Sequence, residues 1–220
     1  MENRSVYSAS SQSSAIEINK VLRNTYMLLA MTLAWSAICA GIAMAMGIPR
    51  GLSLVMMIGA FVTLFILHKK ANSTAGLGLT FLFTGLLGAS LGPMLSMYLA
   101  AGSAGIVMQA LAMTAVIFVA LSAYVLVTKK DFSFLGGFLM VGLVFAIIAI
   151  IANLFFQVAA VSLAINAVIV FIMSGFILYD TSRIVNGGET NYIMATVGLY
   201  LSIYNLFTSL LMLLGMGGDD

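Results

Sequence analysis

The chain has 220 residues, 62% of them hydrophobic and 7% charged, with a net charge of +2 and a mean hydropathy of +1.14. Soluble domains carry about a quarter charged residues, so this composition excludes an ordinary water-soluble fold. Most basic residues sit at the ends of apolar runs, which gives no support to nucleic-acid binding, and the single cysteine, Cys39, excludes an intramolecular disulfide or a thiolate metal cluster.

Residues 1–20 hold Ser5, Ser8, Ser10, Ser11, Ser13 and Ser14 and little apolar surface, and predict a mobile tail. The apolar run that follows is too long for a signal-peptide core and reads as a retained anchor. Runs without a charged side chain then mark a membrane domain over residues 21–215. The runs 24–49, 51–68 and 190–218 each suit one helix of about 20 residues. The runs 71–128 and 132–179 are each more than twice that length, so each must cross, turn and return. Seven spans follow, at 23–46, 51–68, 75–99, 105–128, 134–156, 159–183 and 192–214, with a short tail at 216–220. Backbone groups in lipid must be bonded within their own segment, and no strand-length alternation is present, so the fold class is an all-α membrane protein with seven transmembrane helices.

Within these spans the polar and small residues show which faces meet protein. In the third span Thr80, Thr84, Gly88 and Gly92 recur every four residues, a seam where another backbone can approach closely. Pro93 follows at once and predicts a kink or break near 88–92, because it lacks a backbone donor and clashes with the carbonyl four residues back. The seam serves either plain packing or a hinge. Asn186, Gly187 and Gly188 read as a helix stop and tight turn, and Thr190 or Asn191 as the cap of the last helix. The seventh span is the most polar. Gly198, Ser202, Asn205 and Ser209 line one face and Tyr200, Tyr204 and Thr208 an adjacent one, so this helix belongs at the centre of the others.

Orientation follows from the basic residues. Arg4, Lys20, Arg23, Lys69, Lys70, Lys129, Lys130 and Arg183 fall on one side and Arg50 alone on the other, which places the amino terminus in the cytosol and Asp219 and Asp220 outside.

Asp180 is the acid nearest the membrane interior and therefore the first candidate for function. It lies one turn before Arg183, so an interfacial ion pair at i, i+3 is the competing reading. Metal and nucleophile chemistry find little footing. His68 is the only histidine and stands beside Lys69 and Lys70, no paired-carboxylate or Cys/His cluster exists, and Asp180 has no second acid within the spans. The seventh span lacks a Schiff-base lysine, and the 16 methionines read as apolar filler. No cofactor is expected, and the chain is not expected to be an enzyme.

Several segments carry a resemblance. Residues 88–95 with 110–118, residues 177–181 around Tyr179 and Asp180, and residues 186–192 running into 199–207 resemble the Bax inhibitor-1/YccA-like family of membrane proteins. Residues 21–26 and 129–137 extend the likeness over nearly the whole chain after the tail. Ala104 departs from it, standing where the family pattern prefers Gly, Glu or Asn. The resemblance implies a central seventh helix ringed by six. It also implies an inner-membrane protein of the bacterial YccA branch that binds and modulates the FtsH protease complex through its cytosolic tail and so restrains degradation of membrane proteins. The alternative it implies is a pH-sensitive calcium or other cation leak channel, with two acids sharing a proton on helices six and seven. Asp180 matches the first acid and Ser202 takes the place of the second, while Arg183 and Asn205 lie within reach of a gate there. An acid beside a hydroxyl gains a hydrogen-bond partner but not the coupled second proton.

The inferred topology has a direct check. A reporter enzyme active only in the cytoplasm, fused after Asp220, is expected to stay silent and to be active when fused at the amino terminus; activity at the carboxy terminus would refute the seven-span layout.

Overall fold

The computed structural model describes residues 3–217, with side chains described from residue 16 onward. Eight helices make up the described fold: α1 (Asn3–Ala45), α2 (Arg50–Lys70), α3 (Ala75–Ser90), α4 (Gly92–Ala100), α5 (Ala104–Thr128), α6 (Leu135–Phe156), α7 (Ala159–Val185) and α8 (Tyr192–Met216). Seven segments are long and apolar enough to cross a membrane, because α3 and α4 together form one span, from Ala75 to Ala100. The seven agree with the spans expected from the sequence to within a few residues, except at the start of the first.

There the described helix begins earlier. The backbone of residues 3–20, expected as a mobile tail, is helical and continuous with the first span. Helix growth from an existing helix costs far less than starting one, since each added residue brings a bond without a new nucleus. The end of the expected tail at 216–220 lies mostly outside the described residues.

The third span is broken at Leu91. Its amide bonds back to the Gly88 carbonyl at 3.0 Å, and Pro93 stands in the first turn of α4. Both helices press on α1 at the small residues. A Cβ on Gly88 would collide with the backbone of Ser36, and one on Gly92 would lie 2.7 Å from the Cβ of Ala43.

α8 is the axis. Thirteen of its 25 residues are buried against two of the 22 in α6, which places one at the centre and the other at the rim. α1, α3, α5 and α7 pack directly on α8, whereas α2 rests on α3 and α4, and α6 rests on α7. The ring of six is therefore uneven, with two spans in an outer position.

Buried hydroxyls of this centre find partners within the protein. Tyr200, 1% exposed, donates to the Thr84 carbonyl at 3.2 Å and meets Ser36 Oγ at 2.6 Å. A carbonyl can only accept, so the phenol proton goes to Thr84 and Ser36 donates to the phenol. Tyr204 stacks on Tyr200 and meets Ser90 Oγ at 3.1 Å. Thr196, Ser202 and Thr208 each donate to the carbonyl four residues back, and so does the Asn205 amide. α8 can thus be polar and central at once.

The α1 seam predicts opposite results for two glycines of α3. Gly88→Ala overpacks against Ser36 and is expected to cost about 1–3 kcal/mol. Gly78→Ala, where a Cβ meets nothing within 4 Å, is expected to be neutral or to gain about 0.5–1 kcal/mol of helix stability. Thermal unfolding of the two variants in detergent checks the contrast.

Candidate functional site

Asp180 stands in the penultimate turn of α7, on the Lys/Arg-rich side, and faces α8 at Gly198. A Cβ at position 198 would lie 2.9 Å from Asp180 Oδ2 and 3.4 Å from its Cγ, so the carboxyl group occupies the space that the missing side chain leaves. Around it the end of α7 is closely packed, with Ile177, Thr181, Ser182 and Ile184 fully buried.

Arg183 has another partner. Its Nη2 pairs with Glu189 Oε2 at 3.2 Å and approaches the Gly188 carbonyl at 3.4 Å, while the guanidinium lies 5.5 Å from the centre of the Tyr179 ring. Among the described residues no cation lies within salt-bridge distance of Asp180. The competing reading, an ion pair between Asp180 and Arg183, gives way to a pair across the α7–α8 turn, since Gly187, at φ +76°, folds the chain back and brings Glu189 alongside.

That turn is tied further. Glu189 Oε1 accepts from the Asn191 amide at 3.0 Å, and Asn191 Oδ1 caps α8 by accepting from the amides of Ile193 and Met194 at 2.9 and 3.1 Å. The Asn191 side-chain amide donates to Asn72 Oδ1, joining the α7–α8 turn to the α2–α3 turn. Ile18 of α1 packs against Gly187, its Cδ1 3.3 Å from the position a Cβ would take.

At Thr181, the residue after Asp180, ends a chain of hydroxyls from three helices. Tyr26 of α1 donates to Ser122 of α5 at 2.9 Å, and Ser122 meets Thr181 of α7 at 3.3 Å. Thr25, next to Tyr26, is fully buried, and its Oγ1 is without a partner among the described residues, while its carbonyl accepts from Thr196 of α8 at 3.2 Å. On the other side Ser182 accepts from the Phe132 amide at 2.8 Å and so seats the α5–α6 loop on the end of α7. In that loop the Ser133 hydroxyl and amide, with a smaller part from Ser182, hold the Asp131 carboxyl below the usual carboxylate range.

The residues expected to form a gate are spread along α7 and α8. Ser202 is buried one turn beyond Gly198 and donates to the Gly198 carbonyl at 3.1 Å. Asn205, almost one further turn along, opens onto a cleft of about 960 Å³ on the opposite side of the molecule. Gly88, Gly92 and Pro93 lie against α1 and at the break of the third span, with Pro93 also on the wall of that cleft. Four features escaped the sequence reading: the Glu189 clamp, the bond between Asn72 and Asn191, the hydroxyl chain through Ser122, and the cleft. Asn153 and Asn166, amides in otherwise apolar spans, were the available sign of the last.

Comparison with known proteins agrees with this architecture. The chain is 48% identical over 218 residues to a protein named Modulator of FtsH protease YccA from Escherichia coli strain K12, covering 99% of this chain and 100% of that one. A protein of another E. coli strain, at the same identity and coverage, is named Inner membrane protein YccA. An uncharacterised membrane protein of Vibrio cholerae is 51% identical over 213 residues, 96% of each chain. Residues 18–219 match the model of the family described as Inhibitor of apoptosis-promoting Bax1, and the chain belongs to that family.

Proposed function

We propose that this chain is a multi-pass protein of a bacterial inner membrane, amino terminus in the cytosol and carboxy terminus outside. It binds the FtsH protease complex and restrains its degradation of membrane proteins, acting by binding rather than by catalysis. The observation that carries this reading is the 48% identity, end to end, with a relative whose name states that role.

The shape of α1 supports it. Its 43 residues span about 65 Å at 1.5 Å per residue, roughly twice the hydrocarbon thickness. The excess stands on the Lys/Arg-rich face, where a helical arm can reach a protease domain on the cytosolic side. Deleting residues 2–20 is expected to shorten the half-life of a second FtsH substrate toward that seen in cells lacking the protein. An unchanged half-life would remove occupation of the protease by this arm.

A second reading, a calcium or other cation leak gated at Asp180, is favoured by one observation: Glu189 takes Arg183, and the Asp180 carboxyl is left against Gly198. From Gly198 to Asn205, at the floor of the cleft, is about 10 Å of packed helix at 1.5 Å per residue. Vesicles containing the chain should then show calcium flux that Asp180→Asn alters. Equal flux in both proteins, with only thermal stability changed, would make Asp180 a packing acid.

A further inference from the structure

The cleft of about 960 Å³ lies between α2 and α4 on one wall and α6 and α7 on the other, with residues 204–209 of α8 as its floor. Because α2 is held by α3 and α4 and α6 by α7, the space between these two outer spans stays open. Leu54 and Leu154 mark its two edges and are 56% and 67% exposed, on surfaces that a seven-span protein turns toward lipid. The cleft therefore opens sideways into the bilayer. Its volume is at the upper end for a small-molecule site and far larger than a single ion requires.

Four of its polar side chains already donate to partners within the protein. Asn153 donates to Ser162 Oγ at 2.7 Å, Asn166 to the Ser162 carbonyl at 2.8 Å, Ser53 to the Ser90 carbonyl at 2.6 Å and Asn205 to the Leu201 carbonyl at 2.8 Å. With those donors engaged, the interior presents mainly Met57, Met94, Ile150 and Ile169. Hydrocarbon suits such a wall better than a column of water.

The rim differs. Arg50 is exposed at the start of α2, and its guanidinium Nη2 lies 3.4 Å from Met97 Sδ, a weak acceptor. Among the described residues no carboxylate is within salt-bridge distance of it. It is also the one basic residue on this side of the membrane domain. A guanidinium with donors to spare is matched to a phosphate, which it can bind through two parallel bonds.

We propose that this cleft holds an anionic phospholipid, with the phosphodiester on Arg50 and an acyl chain between α2 and α6. Charge complementarity at the rim and a mainly apolar interior together select an amphiphile with a negative head and a long hydrocarbon body. The proposal stands apart from the protease reading and can fail without it.

Native mass spectrometry of the full chain, released from vesicles of equal phosphatidylglycerol and phosphatidylcholine, tests it. The expected result is a single phosphatidylglycerol adduct, retained several-fold over phosphatidylcholine. Arg50→Gln should bring the ratio to one, Arg50→Lys should keep part of it, and Leu154→Trp, which fills the edge of the cleft, should lower retention of both lipids. Should Arg50→Gln fail to fold, loss of the preference in wild-type protein at high salt serves in its place. Equal retention of the two lipids in wild type would overturn the proposal, as would an unchanged ratio in Arg50→Gln where that variant folds, or in high salt where it does not. Binding of inorganic phosphate in place of lipid, or a doubled mass showing that a second copy covers the cleft, would also overturn it.

Discussion

Hydrocarbon supplies no hydrogen bonds, and the whole arrangement follows from how α8 meets that constraint. Its polar side chains satisfy themselves in two ways. Short ones such as Thr196, Ser202 and Thr208 bond to their own helix, and the long phenols of Tyr200 and Tyr204 reach Ser36, Thr84 and Ser90 on α1 and α3. The second kind requires neighbours at fixed distance. α1 and α3 are drawn onto α8 by those partners, and Gly88 of α3 lets these two come close enough to each other.

How much of this could be read in the sequence depends on range. Spans, the break before Pro93 and the Asn191 cap are local, set by run length, a missing donor and a side chain two residues from the amide it accepts. The central place of α8 was also legible, since a helix polar over a wide arc has nowhere else to go. The partner of Arg183 was not, because the choice between Asp180 and Glu189 turns on a glycine at positive φ that reverses the chain. The helical state of residues 3–20 was equally hidden. Composition describes a segment standing alone, and this one grows from a helix already formed.

The candidate site divides in the same way. Asp180 could be picked out as an intramembrane acid, but the space its carboxyl fills is left by Gly198 on another helix, and the next residue, Thr181, is met by Ser122 of a third. The cleft was further out of reach, since it is made by two helices that do not close on one another. A pattern along one helix records what that helix touches and carries little about what it leaves open.

The bond between Asn72 and Asn191 fastens the α2–α3 hairpin to the α7–α8 hairpin, on the face that also carries the Arg183–Glu189 pair and the seated α5–α6 loop. At the far end, across the cleft, the α2 hairpin and the α6 hairpin have no comparable cross-tie among the described residues. The molecule is thus built like a clothes-peg, joined across one side and parted at the other. On the Arg50 side the two outer spans thus meet the bilayer as separate walls, while on the other side the turns present one joined surface.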